Sequence, residues 1–159
     1  GYELGAKSVK PDIKVVAAYV TNDFSPAAFQ DQAGGKTYAE NFLAQNKTVD
    51  VLFQVAGLTG NGVLDAACAA KILGIGVDVD QYQSYPNAAP CLLTSATKSL
   101  QLAVSDALKQ VAGGSATPGD VLYDAKPAAT TGSASRPVTT TATSGRPTPR
   151  RSSTPPSPA

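Results

Sequence analysis

The residues best suited to chemistry stand at the ends of short apolar runs. Asp78 and Asp80 close one such run in GVDVDQ, and Lys98 closes another in LLTSATK. Two positions apart in an extended chain, the aspartates are expected on one face. They make a poor calcium loop, because D-V-D-Q-Y-Q-S lacks a third oxygen ligand and a glycine. They also make a poor glycosidase pair, because neighbours on one strand do not flank a bond from opposite sides. Accepting hydrogen bonds from a vicinal diol, as on a sugar, is the better use of Asp78. Asp80 reads as a loop cap. Lys98 stands where a helical segment begins, and a cation there opposes the helix dipole. It is therefore expected to answer a carboxylate, with Asp78 at the adjacent strand end as the natural partner.

Gly57, Gly60 and Gly62 punctuate GLTGNG between a strand and a helix. Glycine there admits positive φ and close backbone approach, and the helix start offers unpaired N–H groups to an oxygen-rich ligand. The order G-x-x-G-x-G is neither the dinucleotide fingerprint nor a P-loop, and a strand-to-helix turn without a ligand is an equal reading. Phe24, an aromatic in the polar loop TNDFSP, either stacks on a ring or tucks beneath the loop. The chain has no His, which removes the Ser-His-Asp triad, the Cys-His nucleophile and His-bearing zinc sites. Cys68 and Cys91 form no C-x-x-C redox pair, and two separate buried thiols are expected rather than a disulfide.

Positioning these groups requires strands whose ends meet. Lys14–Val20 (KVVAAYV), Asp50–Ala56 (DVLFQVA), Ile75–Val79 and Cys91–Ala96 read as strands, the first a continuous apolar run of the kind covered on both faces. Between them lie helical patterns: one ending before Pro11, then Ala27–Asn46, Gly62–Leu73 and Ser99–Val111. In the second, Phe29, Tyr38, Phe42 and Leu43 are the inward positions, and Gly34-Gly35 weakens the middle. This alternation defines an α/β fold with a parallel sheet and right-handed crossovers. Ligands of such sheets bind beyond the carboxyl ends of the strands, which selects Thr21–Pro26, Ala56–Gly62, Asp78–Gln81 and Thr94–Lys98.

Composition divides the 159 residues in two. Residues 1–126 hold all nine Lys, all twelve acidic residues and no Arg, for a formal charge of −3, whereas residues 127–159 hold four Arg and no acid. The latter carry eight Thr, seven Pro and six Ser, with Val138 as the only apolar side chain larger than Ala. Such a segment buries too little surface to offset the entropy of ordering and is expected to be a disordered tail. It reads as a Ser/Thr/Pro linker or as residues from a shifted frame, and the abrupt change from Lys-only to Arg-only favours the second. The overall charge of +1 argues against a nucleic-acid binder. No run is long and apolar enough for a membrane span, and the start does not read as a signal peptide.

Four blocks, GYELGAKSVKPDIKV, FQVAGLTGNGVLDAA, GIGVDVDQ and LLTSATKSL, resemble the basic membrane protein family of bacterial ABC-transporter solute-binding lipoproteins, whose members bind purine nucleosides. The resemblance implies one lobe of a periplasmic-binding-protein type 1 fold, with strand order 2-1-3-4-5, here the second lobe over residues 1–126. It further implies that the first lobe, lipobox and signal peptide lie upstream. So does a strand that belongs between KVVAAYV and DVLFQVA. By this resemblance Asp78 holds ribose hydroxyls, Lys98 pairs with Asp78 and a ligand oxygen, the backbone at Gly57 faces the cleft, and Phe24 stacks on the base. The T-N-D-F-S-P setting departs from the family's Gly-Ser-aromatic pattern by one position. The implied partners are a purine nucleoside or related small molecule and a transporter permease, with no nucleic acid, no cofactor and no catalytic residue. The implied location is the cell envelope, on the periplasmic or extracellular face of the plasma membrane, held by an upstream lipid anchor. Two other functions fit the same fold: a doubly wound enzyme using Asp78 as base, which lacks a second acid-base group, and the effector-binding lobe of a transcription regulator.

Overall fold

The computed structural model describes residues 1–22 and 25–121, so Phe24 and the expected tail, 127–159, lie outside the described residues. Helix α1, Tyr2–Val9, stops short of Pro11 as expected. On it the Lys7 ammonium sits 2.5 Å from Glu3, and this hydrogen bond and charge hold the Glu3 carboxyl below its ordinary range. The pattern over Ala27–Asn46 divides in two. Pro26–Phe29 forms a short 3-10 turn, and α2 runs over Gln32–Gln45. The division falls at Asp31, whose carboxylate accepts the Gly34 N–H at 2.8 Å and caps α2. Expected inward, Phe29 is instead exposed, while Phe42 and Leu43 pack against the core.

The next elements are β1 (Val51–Phe53), α3 (Thr59–Ala69), β2 (Leu73–Asp78), the single helical turn α4 (Gln81–Ser84), a second 3-10 turn (Pro86–Ala88), β3 (Leu92–Thr97) and α5 (Leu100–Ala112). All three strands are parallel, in the order β1-β2-β3. Leu52 pairs with Gly74, and Ile75 with Thr94, after an irregularity that leaves Leu93 between the paired positions Leu92 and Thr94. The α/β class with a parallel sheet flanked by helices is therefore the fold of the described residues.

Helix α3 packs against β1 and β2, and α2 packs on α3. Leu52, Val63, Ala66, Ala67 and Ala39 form one buried cluster; Leu64, Ala88, Cys91 and Leu92 form a second. Of the glycine pair that weakens α2 in isolation, Gly35 is required by packing against α3, whereas Gly34 leaves room for the Asp31 cap. A Cβ on Gly35 would overlap the Thr59 carbonyl of α3, and a Cβ on Gly62 would overlap the Gln32 carbonyl of α2. The two backbones approach more closely than any side chain would permit, and the intrinsic helix penalty of about 1 kcal/mol per glycine is what this close contact costs.

Two expectations are corrected. Lys14–Val20 joins no ladder: the run forms no regular element and is mostly exposed, with Val16 and Tyr19 facing solvent. A strand needs a neighbour for its N–H and C=O groups, and β1, which ends the sheet on that side, pairs only with β2. Cys68 and Cys91 are also not separate thiols. They form a disulfide with Cα atoms 5.2 Å apart, because α3 runs alongside the chain entering β3 and brings Cys68 within bridging distance of Cys91.

Candidate functional site

Parallel strands end on the same side, so the residues that leave β1, β2 and β3 share one rim. Asp78 is the last residue of β2 and takes the left-handed conformation, φ +67. The chain turns sharply there, and the two aspartates do not continue as an extended pair. Asp80 instead caps α4, its carboxylate accepting from the Tyr82 N–H at 3.1 Å and from Gln83 Nε2 at 3.2 Å. This is the cap role expected of it.

Asp78 and Lys98 come together as expected. Lys98 Nζ lies 3.0 Å from Asp78 Oδ1, and the Lys98 backbone N–H donates to the Asp78 carbonyl at 2.9 Å. The backbone bond continues the β2–β3 ladder by one residue, so the pair sits on a fixed frame while both charged ends stay accessible, with side-chain exposures of 48% for Asp78 and 66% for Lys98. A half-exposed pair of this kind contributes little to stability, yet its open carboxylate oxygen retains lone pairs for hydroxyl donors.

Gly57 also has positive φ, +57, and a Cβ there would press on the backbone carbonyl of Phe29 at 3.1 Å. Its neighbour is therefore the Pro26–Phe29 turn. Helix α3 already begins at Thr59, which places Gly60 and Gly62 inside its first turns and not in the preceding loop. An open cavity of about 610 Å³ lies against α2, lined by Val20, Thr21, Ala27, Ala28, Tyr38 and Asn41. Gly57, Asp78 and Lys98 do not border it, so the strand-end rim and this depression are separate features.

Sequence reasoning missed a group of buried amides beneath the rim. Gln54, just past β1, is 3% exposed, and Gln81, the first residue of α4, is 6% exposed. Gln54 Nε2 donates to Gln81 Oε1 at 2.8 Å, and Gln81 Nε2 donates to Asn61 Oδ1 at 2.8 Å. The signal was present as one polar residue interrupting the apolar run DVLFQVA, but periodicity gave no reason to keep it. A second polar cluster ties α2, α3 and the segment after α4. The Tyr85 hydroxyl donates to Asp65 at 2.9 Å and accepts from Gln32 Nε2 at 2.6 Å. Partial burial, and then the Asp65 carboxylate, raise the Tyr85 hydroxyl above the ordinary tyrosine value. Among the described residues no group of His, Cys, Asp and Glu could hold a metal ion, and no helix is long and apolar enough to cross a membrane.

Fold and rim together have the form of an α/β lobe that presents charged side chains at the ends of parallel strands. The chain belongs to the basic membrane protein family: residues 1–129 match the family described as Bmp, ABC transporter substrate-binding protein PnrA-like. The four sequence blocks thus pointed to the right family, one of substrate-binding proteins. The chain is 42% identical over 92 residues to basic membrane protein D of Borreliella burgdorferi, covering 55% of this chain and 24% of that protein. It is 36% identical over 118 residues to basic membrane protein A1 of Borrelia garinii subsp. bavariensis, covering 69% and 31%. To the ABC transporter nucleoside-binding protein BmpA of Lactococcus lactis subsp. cremoris it is 42% identical over 89 residues, covering 51% and 23%. The chain therefore spans between 23% and 31% of the length of these relatives.

Proposed function

We propose that residues 1–126 are part of the second lobe of a type 1 solute-binding lipoprotein that captures a purine nucleoside between two lobes and delivers it to an ABC importer permease. The protein acts in the cell envelope, on the outer face of the plasma membrane, held there by a lipid anchor in the full-length chain. The Asp78–Lys98 pair carries this reading. It joins two adjacent strand ends, leaves a carboxylate oxygen open, and sits on a rim where α/β domains meet their ligands. Asp78 accepts the ribose 2′- and 3′-hydroxyls, and Lys98 orients that carboxylate and donates to a ligand oxygen. The backbone at Gly57 approaches the ligand and Phe24 stacks on the base. The nucleoside-binding name of the Lactococcus lactis relative supports the choice of ligand.

The test belongs in a full-length two-lobed protein carrying this lobe. Charged hydrogen bonds are worth about 1.5–3 kcal/mol each, so Asp78→Ala should weaken inosine and adenosine binding strongly while adenine, which lacks the diol, loses much less. Lys98→Ala should act in the same direction and non-additively with Asp78→Ala. Asp80→Ala, the loss of a cap alone, should change affinity by less than about 1 kcal/mol. Calorimetry with the three ligands decides the matter. Equal losses for nucleoside and base, or a larger loss at Asp80 than at Asp78, refute the assignment.

A further inference from the structure

The buried amides connect to every element that carries the rim. Gln54 Oε1 accepts the Ala56 N–H at 3.1 Å, one residue before Gly57. Gln81 Oε1 accepts the Val77 N–H at 2.9 Å, one residue before Asp78, as well as the Gln54 amide. The Gln81 backbone N–H donates to Ser95 Oγ on β3 at 3.0 Å, and its Nε2 reaches Asn61 on α3. The side chains of these two buried glutamines, with the Gln81 backbone N–H, thus link the ends of β1, β2 and β3 to α3 and α4. Space is also reserved for them. A Cβ on Gly60 would overlap the Gln54 amide, and a Cβ on Gly76 would collide with both Ser95 Oγ and the Gln81 carboxamide. Neither glycine has positive φ, so backbone conformation does not require glycine at either place; room for the amides does.

A satisfied buried network specifies one arrangement, because each member loses its partners if any other moves. We infer that Gln54 and Gln81 are positioning residues for the ligand rim, fixing the distance and angle between the Gly57 turn and the Asp78 carboxylate so that base and ribose are engaged together. This rests on the nucleoside-binding reading of the rim. An apolar side chain of similar size at either position would leave the Val77 or Ala56 N–H without its acceptor, and the strand ends would no longer be held in register with each other.

The experiment uses the full-length two-lobed protein, with adenosine and adenine as probes in calorimetry at a temperature where circular dichroism shows each variant folded. Gln81→Leu should lower adenosine affinity about tenfold, the equivalent of one well-formed hydrogen bond, and adenine affinity far less. Gln81→Glu keeps an acceptor facing Gln54 and Val77, and should recover a large part of the adenosine loss. Gly60→Ala places a better helix former in α3 but displaces the Gln54 amide, and should give the same adenosine-selective loss without lowering the melting temperature as far. It decides the question if Gln81→Leu does not fold. Equal losses for the two ligands, no loss in the folded variants, or a Gln81→Glu protein no better than Gln81→Leu would overturn the inference. Asp78→Ala, run alongside, separates the two ideas: unchanged adenosine affinity there sinks the rim reading itself, whereas a loss at Asp78 with none at Gln81 or Gly60 sinks only the positioning role.

Discussion

At residue scale, Asp78 combines two demands that conflict. Its left-handed conformation favours glycine, and an L-residue there gives up roughly 1–2 kcal/mol, somewhat less for aspartate. Its half-exposed ion pair with Lys98 returns at most about 1 kcal/mol. Stability alone therefore does not explain a carboxylate at this position, whereas the proposed hydroxyl contact would. Asp78→Gly is expected to leave the unfolding free energy within about 1 kcal/mol of wild type, or to raise it, while removing the preference for nucleoside over base. Thermal denaturation paired with calorimetry checks this, and a loss of several kcal/mol in stability would show the carboxylate to be structural. The Asp78–Lys98 pair was legible in the sequence because both residues close apolar runs and a lysine at a helix start calls for an acid. Gln81 was not, since a glutamine after GVDVD carries no periodic or motif signal, and its side-chain bonds to Gln54, Val77 and Asn61 arise only when the strand ends and α3 converge.

At element scale, the close α2–α3 packing depends on bare glycine. Gly62→Ala should cost about 1–3 kcal/mol in equilibrium unfolding, because the added methyl has only backbone to push against; an unchanged midpoint would show that α2 slides aside freely. The Tyr85–Asp65–Gln32 cluster makes a pH-dependent statement. Its raised tyrosine means that the folded state holds the phenolic proton more tightly than the unfolded chain, whose ordinary value is 10.0. The stability it contributes is present below that pH and is lost as pH rises through the folded value. Tyr85→Phe should be less stable than wild type by about 1 kcal/mol at neutral pH, and the gap should narrow above pH 10.0, as read from urea denaturation across the alkaline range. Most elements were legible from the sequence: α1, β2, β3 and α5 fall within about two residues of expectation, because their apolar periods are clear. The failure at Lys14–Val20 is instructive, since its composition is that of a buried strand and composition supplies no neighbour. The failure over residues 27–46 has a local cause, Asp31, whose capping carboxylate starts a new helix inside what the pattern reads as one.

At the scale of the whole molecule, burial is uneven. One face of the sheet is closed by α3, but α5 buries no residue, and Leu100, Leu102, Val104, Leu108 and Val111 on it are exposed, as are Leu4 and Val9 on α1. β1 also presents a strand edge, and unpaired edges next to apolar surface promote association. The 159-residue chain by itself is therefore expected to self-associate, with a sedimentation coefficient that rises with concentration and a broad thermal transition. A sharp transition from a monomer would contradict this. The overall class and family were legible because four blocks occur in order; the disulfide was not, because separation along the chain says nothing about distance across it.

That disulfide closes a covalent ring from Cys68 to Cys91, and β2, Asp78, Gln81 and Tyr85 all lie within the ring. Cutting the backbone inside the ring does not part the molecule. A protease that cleaves after the exposed Tyr82 would yield two polypeptides still joined through sulfur. They should run as a single band on a denaturing gel without reductant and as two with it. Asp78 would remain on the amino-terminal piece and Lys98 on the carboxyl-terminal piece, so adding reductant to the nicked protein should leave the two members of this ion pair with no covalent connection.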